Sequence, residues 1–382
     1  MSRSVSFEDW LAGKAAALEA RGLTRRLRPR AAPAPGADAV IDLAGNDYLG
    51  LATDRRVVDA AVTALRTWGA GATGSRLVTG TTALHAQLED QLADFFRQPA
   101  ALVFSSGYLA NLGVVTALGG PGTLLVSDAH VHASLVDAGR LARSRVLTVP
   151  HNDVHAVEQA LTGRGEPRAV VLVESVYSVL GDAAPLRDLA EVCARHGAVL
   201  LVDEAHGAGV TGAGRGSVAA EKLAGLEHVV VTATLSKAFG SSGGVVLGSA
   251  ALKHHLVNRA RSFIYDTALA PASVAAALAA VDVVRAEPHR VAAVGTVAAR
   301  LAEACGVRPP AGAVLSVPMP GPREAVQAAE TCARHGVRVG AFRPPSVPDD
   351  VSRLRVTARA TLAGAELERA CEVLAHAVEE AG

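Results

Sequence analysis

The chain is poor in several things at once. Its 382 residues hold four lysines against thirty-three arginines, four cysteines, two methionines and two tryptophans, and only 3% of residues are aromatic. Cys193, Cys305, Cys332 and Cys371 are widely spaced. Neither a close thiolate pair for a metal nor a redox dithiol is therefore present, and the four read as reduced core or surface residues. Net charge is missing too, since 37 basic residues balance 37 acidic ones. That removes the broad field that attracts nucleic acid or an anionic membrane. No apolar run reaches the roughly 18 residues of a membrane span. The opening MSRSVSFEDWLAGKAAALEARG has an amphipathic helix pattern, without the apolar block of a signal peptide. The expectation is a cytoplasmic protein that binds neither nucleic acid nor membrane.

What is present is a large apolar content, 50% of residues, in a chain long enough for one large domain and a smaller one. After the N-terminal helix comes a basic, proline-containing run, Thr24 to Pro35, read as a surface arm. NDYLGL (Asn46 to Leu51) and a glycine-rich tract from Gly69 to Gly80 follow. Seven short apolar runs then alternate with helical segments: Ala101–Phe104, Leu124–Ser127, Val146–Val149, Val170–Val173, Val199–Val202, Val229–Val231 and Val245–Leu247. Runs without polar alternation are buried on both faces, and the interleaved helices imply a mostly parallel, helix-covered sheet. Pro271 to Arg285 reads as a long helix. Beyond it, Ala313–Val317, Val337–Phe342 and Arg353–Thr357 read as strands and Ala363 to Ala381 as a closing helix. The expected division is an N-terminal helix and arm (1–45), a large α/β domain (46–285) and a small α+β domain (286–382).

Ligands of open α/β sheets collect at the carboxyl ends of the strands, so the residues after each run matter most. Lys237 follows Val229–Val231 in HVVVTATLSKAFGSSGG. An amine held away from water loses proton affinity, and only a neutral amine attacks a carbonyl. Asp203, Glu204 and His206 follow Val199–Val202; Glu174, Ser175, Tyr177 and Ser178 follow Val170–Val173; Asp128, His130 and His132 follow Leu124–Ser127. After Phe104, Ser106, Gly107 and Tyr108 open a helix, a position that favours an anion such as phosphate. Each has a plainer reading. Lys237 can be a solvated loop lysine, Asp203 a helix N-cap, His132 and His206 structural histidines, and the Asp128/His130/His132 group a metal site without further ligands. Taken together they describe a pocket for a phosphate, a basic ring nitrogen and an aldehyde. Those are the functional groups of pyridoxal 5'-phosphate (PLP).

FSSGYLAN (Phe104–Asn111), HASLVDAG (His132–Gly139), VESVYSVLGDAAPL (Val173–Leu186), VDEAHGAGVTGAGRG (Val202–Gly216) and TLSKAFG (Thr234–Gly240) resemble the α-oxoamine synthases. These are PLP-dependent enzymes of fold type I that join an amino acid to an acyl thioester with loss of carbon dioxide. HNDV (His151–Val154), FRPPSVP (Phe342–Pro348) and RLRVT (Arg353–Thr357) are most similar to the biotin-pathway branch, which takes L-alanine and a pimeloyl group carried on CoA or a carrier protein. The resemblance implies that Lys237 bonds the cofactor, Asp203 pairs with its ring nitrogen, His206 meets its phenolic oxygen near Ser178, and His132 stacks on the ring. Ser106, Gly107, Tyr108 and Thr234 would hold the phosphate, completed by Thr267 across a homodimer interface. Arg355 would bind the amino-acid carboxylate, with Thr357 and Arg25 lining the substrate side. Sister reactions use glycine with acetyl-CoA or succinyl-CoA, or serine with a long acyl chain. A reading from another class is an inactive PLP-fold binding or regulatory subunit, against which Lys237, Asp203, His206 and His132 all speak. Two departures bear on the acyl donor: Asp266 stands where the family often has a small residue, and ARATLAG replaces the usual alanine-histidine pair after RLRVT.

Overall fold

The structure is a computed structural model that describes residues 5–21, 24, 25, 27, 29, 40–344, 346, 347 and 349–382. Most of the expected basic arm, Thr24 to Pro35, lies outside the described residues. The chain forms two compact units, Met1–Ala39 and Val40–Gly382. The first contains the helix Phe7–Ala20, started by Ser6, whose side chain accepts a hydrogen bond from the Asp9 N–H.

Among its described residues the second unit holds twelve strands: β1 Ile41–Asp42, β2 Ala100–Phe104, β3 Thr123–Asp128, β4 Arg145–Val149, β5 Arg168–Glu174, β6 Val199–Asp203, β7 Val229–Thr234, β8 Gly244–Gly248, β9 Val314–Pro318, β10 Val337–Arg338, β11 Gly340–Phe342 and β12 Arg353–Thr357. Seven make one sheet in the order β2-β8-β7-β6-β5-β3-β4. β4, β3, β5, β6 and β7 run parallel, whereas β8 is antiparallel to both of its neighbours. All seven apolar runs lie in this sheet. The period of two sends alternate side chains to opposite faces. Leu124, Val126, Val171, Val173, Leu200 and Val202 join one core with Leu88, Leu92, Leu189 and Val274. Leu125, Val170, Leu172 and Leu201 join another with Ala110, Val114, Leu135 and Phe263. Edge strand β4 is the exception, with Arg145 to Thr148 exposed.

The C-terminal residues build smaller sheets. β9, β12 and β11 form an antiparallel trio, and β1 pairs in parallel with β10. The single apolar run Val337–Phe342 is thus two strands in two different sheets. The helix from Pro271 ends at Ala286, and a second begins at Pro288, where the proline suits a first helical turn. All four cysteines are free and buried. No described helix is long and apolar enough to cross a membrane.

Candidate active site

Asp203 is the last residue of β6, Thr234 the last of β7, and Glu174 the last of β5. The parallel register of β5 and β6 aligns Glu174 with Asp203. Carboxylates and a hydroxyl therefore converge at one end of the sheet. With Ser106, Gly107, Tyr108, Asn111, His132, Ser134, His206, Ser236 and Lys237 they line a pocket of about 260 Å³.

Ser106 caps the helix Gly107–Leu118 by accepting from Leu109 N–H. The N–H groups of Gly107 and Tyr108 fall in the first turn, where their own helix offers no acceptor, and both residues line the pocket, at a helix end of the kind that favours an anion. Glycine at 107 is required by space, because a Cβ there would stand 2.9 Å from Thr234 Cβ. Thr234 is fixed in turn, its hydroxyl donating to Gly243 O at 3.1 Å and lying 2.7 Å from Ser236 Oγ. Asp203 is buried and clamped, accepting from Asn111 Nδ2 at 2.8 Å and Ala205 N at 2.9 Å. Asn111 is locked by Thr232, whose hydroxyl donates to its Oδ1 at 2.7 Å.

Lys237 Nζ lies 2.9 Å from His206 Nε2. Tyr48 OH lies 2.7 Å from His206 Nδ1 and donates to Asn46 Oδ1 at 3.0 Å. Asn46 Oδ1 also faces Arg355 Nη1 and Nη2 at 3.3 and 3.2 Å. Tyrosine has one proton to give. With it pledged to Asn46, His206 donates from Nδ1–H and accepts from Lys237 at Nε2. Burial first, then the charges of Lys237 and Arg355, push the His206 pKa well below its ordinary value, so the ring is neutral. Burial likewise lowers the Lys237 amine to about 8, with Asp203 and Glu174 opposing and Arg355 assisting. Burial raises Glu174 to about 8, helped by the charge of Asp203. Glu174 Oε1 is buried and without a hydrogen-bond partner.

Other expected residues sit differently. His132 lies at the exposed rim, caps the helix Ala133–Leu141 and holds Ser134 Oγ at 2.7 Å; enclosure of its ring lowers its pKa. Ser178 and Arg355 do not line the pocket but join each other, Arg355 Nε donating to Ser178 O at 2.7 Å. Thr357 is buried and donates to Gly45 O at 2.7 Å. Thr267 is exposed and bridges to Ser75, while its neighbour Asp266 accepts from Ser105 Oγ. Arg25 belongs to the first unit. Sequence reasoning passed over Asn46, Tyr48, Asn111, Ser134 and Glu174 as site residues. Asn46 and Tyr48 stood in the NDYLGL motif and Glu174 at a strand end, which were the available signals.

PLP fits this set. The site offers a helix N-terminus for phosphate, a clamped carboxylate at a strand end, an amine whose proton affinity burial lowers, and an orphaned carboxyl oxygen awaiting a partner. The family described as aminotransferase class I and II matches residues 38–374. An 8-amino-7-oxononanoate synthase of Mycolicibacterium gilvum is 57% identical over 374 residues, 97% of each chain. A serine palmitoyltransferase from S. paucimobilis, solved with PLP and myriocin bound, superposes with a TM-score of 0.88 at 29% identity over 98% of each chain. An 8-amino-7-oxononanoate synthase from Francisella tularensis superposes at 0.77 with 25% identity, covering 90% of this chain and 99% of that one. A pocket built for this cofactor, within a match spanning nearly the whole sequence, leads to one assignment: the chain belongs to the aminotransferase class I and II family.

Proposed function

We propose that the protein is a PLP-dependent acyltransferase that condenses L-alanine with a pimeloyl thioester. The products are 8-amino-7-oxononanoate, carbon dioxide and free thiol, a step of biotin synthesis. The observation that carries the chemistry is the buried Lys237 amine, 2.9 Å from a neutral His206 in the pocket that also holds Asp203. The choice of alanine and pimeloyl rests on the 57% identity to the M. gilvum synthase.

PLP, when bound, supplies an electron-withdrawing ring that stabilises negative charge at the α-carbon of an amino acid joined to it. In this reading Lys237, with its pKa near 8, is the nucleophile toward a carbonyl and the base that takes the α-proton. His206 accepts from Lys237 and directs the amine. Asp203, immobilised by Asn111 and the Ala205 N–H, would keep a proton on the ring nitrogen. His132 would stack on the ring, His206 would meet its phenolic oxygen with Ser178 nearby, and Ser106, Gly107, Tyr108 and Thr234 would hold the phosphate. Arg355 would take the amino-acid carboxylate, with Thr357 on the substrate side.

The protein is further proposed to work in the cytoplasm as a homodimer, Thr267 of one copy completing the phosphate site of the other. Residues 46–285 are its cofactor domain, 286–382 its small domain and 1–45 a helix and arm. The superposition on serine palmitoyltransferase, at a TM-score of 0.88 against 0.77, favours serine with a long acyl thioester as the second reading. Purified protein is assayed with alanine, glycine and serine against pimeloyl, acetyl, succinyl and palmitoyl thioesters. Alanine with pimeloyl should give the highest kcat/KM; a preference for any other pair overturns the substrate assignment.

A further inference from the structure

Next to the pocket, three connections meet at one imidazole. His151 Nδ1 lies 2.9 Å from Asp128 Oδ1, and its Nε2 lies 2.8 Å from Asp182 Oδ2. Asp128 ends β3, whose exit loop leads to His132. Asp182 belongs to the loop after β5 that carries Ser178. His151 and Asn152 form the turn after β4, and Asn152 reinforces the bridge, its N–H donating to Asp128 at 2.7 Å and its amide to Asp182 at 3.0 Å. His130 stacks on His151 with ring centroids 3.9 Å apart, and Tyr177 meets its edge at 4.3 Å. A ring with both nitrogens on carboxylates is held as a double donor, which is its cationic form.

We propose that His151 is a positioning residue for the amino-acid carboxylate site, acting through Asp182 and the Ser178 loop on Arg355. The path is continuous. Asp182 O accepts from Tyr177 N at 2.9 Å, which closes the loop on itself; Ser178 N donates to Glu174 Oε2 at 3.0 Å; Ser178 O receives Arg355 Nε at 2.7 Å. The loop's far side is fixed to the connection that leads into β9, because Ala311 N donates to Gly181 O. His151 is the tie on the near side. The groups facing it are Asp128 from β3, Asp182 from the loop, His130 from the β3 exit and Tyr177 from below. The two carboxylates outweigh burial and raise its pKa to about 9. Burial, and then the His151 charge, keeps stacked His130 lowered.

This inference rests on the proposed role of Arg355, and the test separates the two. Wild type, His151→Gln and Asp182→Asn are compared with cofactor bound, after circular dichroism shows that the variants are folded. Alanine binding is read from cofactor absorbance, and KM values are measured for alanine and for the thioester. Both variants should raise the alanine KM and dissociation constant about tenfold, a size expected of coupling within one hydrogen-bonded network. The thioester KM should stay within about twofold. The ratio of His151→Gln to wild-type alanine KM should be large at pH 7 and shrink toward one above pH 9, where wild type loses the same charge. The ratio cancels the titrations of alanine and Lys237, which both proteins share. Equal alanine binding in variants and wild type, or a ratio flat with pH, overturns the inference and leaves the function reading standing. A wild type that binds none of alanine, glycine or serine overturns both.

Discussion

Nε2 of His206 faces the Lys237 amine as an acceptor, 2.9 Å away, because Nδ1 of the same ring has its proton committed to Tyr48. A neutral acceptor opposes the lowering of the lysine pKa by burial less than a carboxylate at the same place would.

Lys237→Ala removes both nucleophile and base. Condensation should fall by about 10⁴-fold, the upper range for a positioned proton-transfer group. The absorbance of covalently held PLP should vanish. Stopped product assays and a spectrum of the purified variant check this, and a variant that keeps either property contradicts the role.

Gly107→Ala puts a methyl 2.9 Å from Thr234 Cβ, and Thr234 is pinned by Gly243 and Ser236. Overpacking of this kind costs about 1–3 kcal/mol. It falls on the first helical turn, so PLP affinity should drop about tenfold or more. Titrating apoprotein with PLP and following protein fluorescence gives the dissociation constant; an unchanged value would remove the helix start from the phosphate site.

Arg355→Lys keeps the charge but loses the Nε bond to Ser178 and the fork on Asn46. With charged hydrogen bonds contributing about 1.5–3 kcal/mol each, the alanine KM should rise by about 10–100-fold and kcat by comparison should move little. Steady-state kinetics at saturating thioester decide it, and a lowered kcat at constant KM would place Arg355 outside carboxylate recognition.

His151 also predicts how stability depends on pH. Its pKa is raised from 6.5 to about 9 in the folded protein, so the folded state binds the extra proton. The stabilisation is fully present below pH 6.5 and is lost as pH rises through 9, amounting to about 3 kcal/mol at most. The stability difference between wild type and His151→Gln apoprotein should shrink by that amount between pH 6 and pH 10 in urea unfolding. A difference constant with pH would mean that the ring is not charged.

The seven sheet strands were legible because strands buried on both faces leave runs such as Val170–Val173 and Val199–Val202 without polar interruption. The same signal says nothing of direction, so the antiparallel setting of β8 could not be read. Nor could the split of Val337–Phe342, where only Val339 separates strands of two sheets. The pocket residues at strand ends were legible because a parallel sheet presents all its carboxyl ends together. Asn46 and Tyr48 were not, since they reach His206 across the fold from a segment with no apolar run to mark its place. Thr357 lies two residues from Arg355 and so on the same face of β12, where its hydroxyl donates to Gly45 O.

The run of hydrogen bonds from Lys237 through His206, Tyr48 and Asn46 meets Arg355 head-on at the Asn46 oxygen. A guanidinium cannot accept and does not surrender a proton, so Asn46 must present its oxygen. Tyr48 must then point its hydrogen toward Asn46, and His206 must keep its lone pair toward the lysine. No mirror arrangement of the protons is accessible. The tautomer beside the reactive amine is thus settled from the opposite terminus of the chain, by a cation whose own charge never varies.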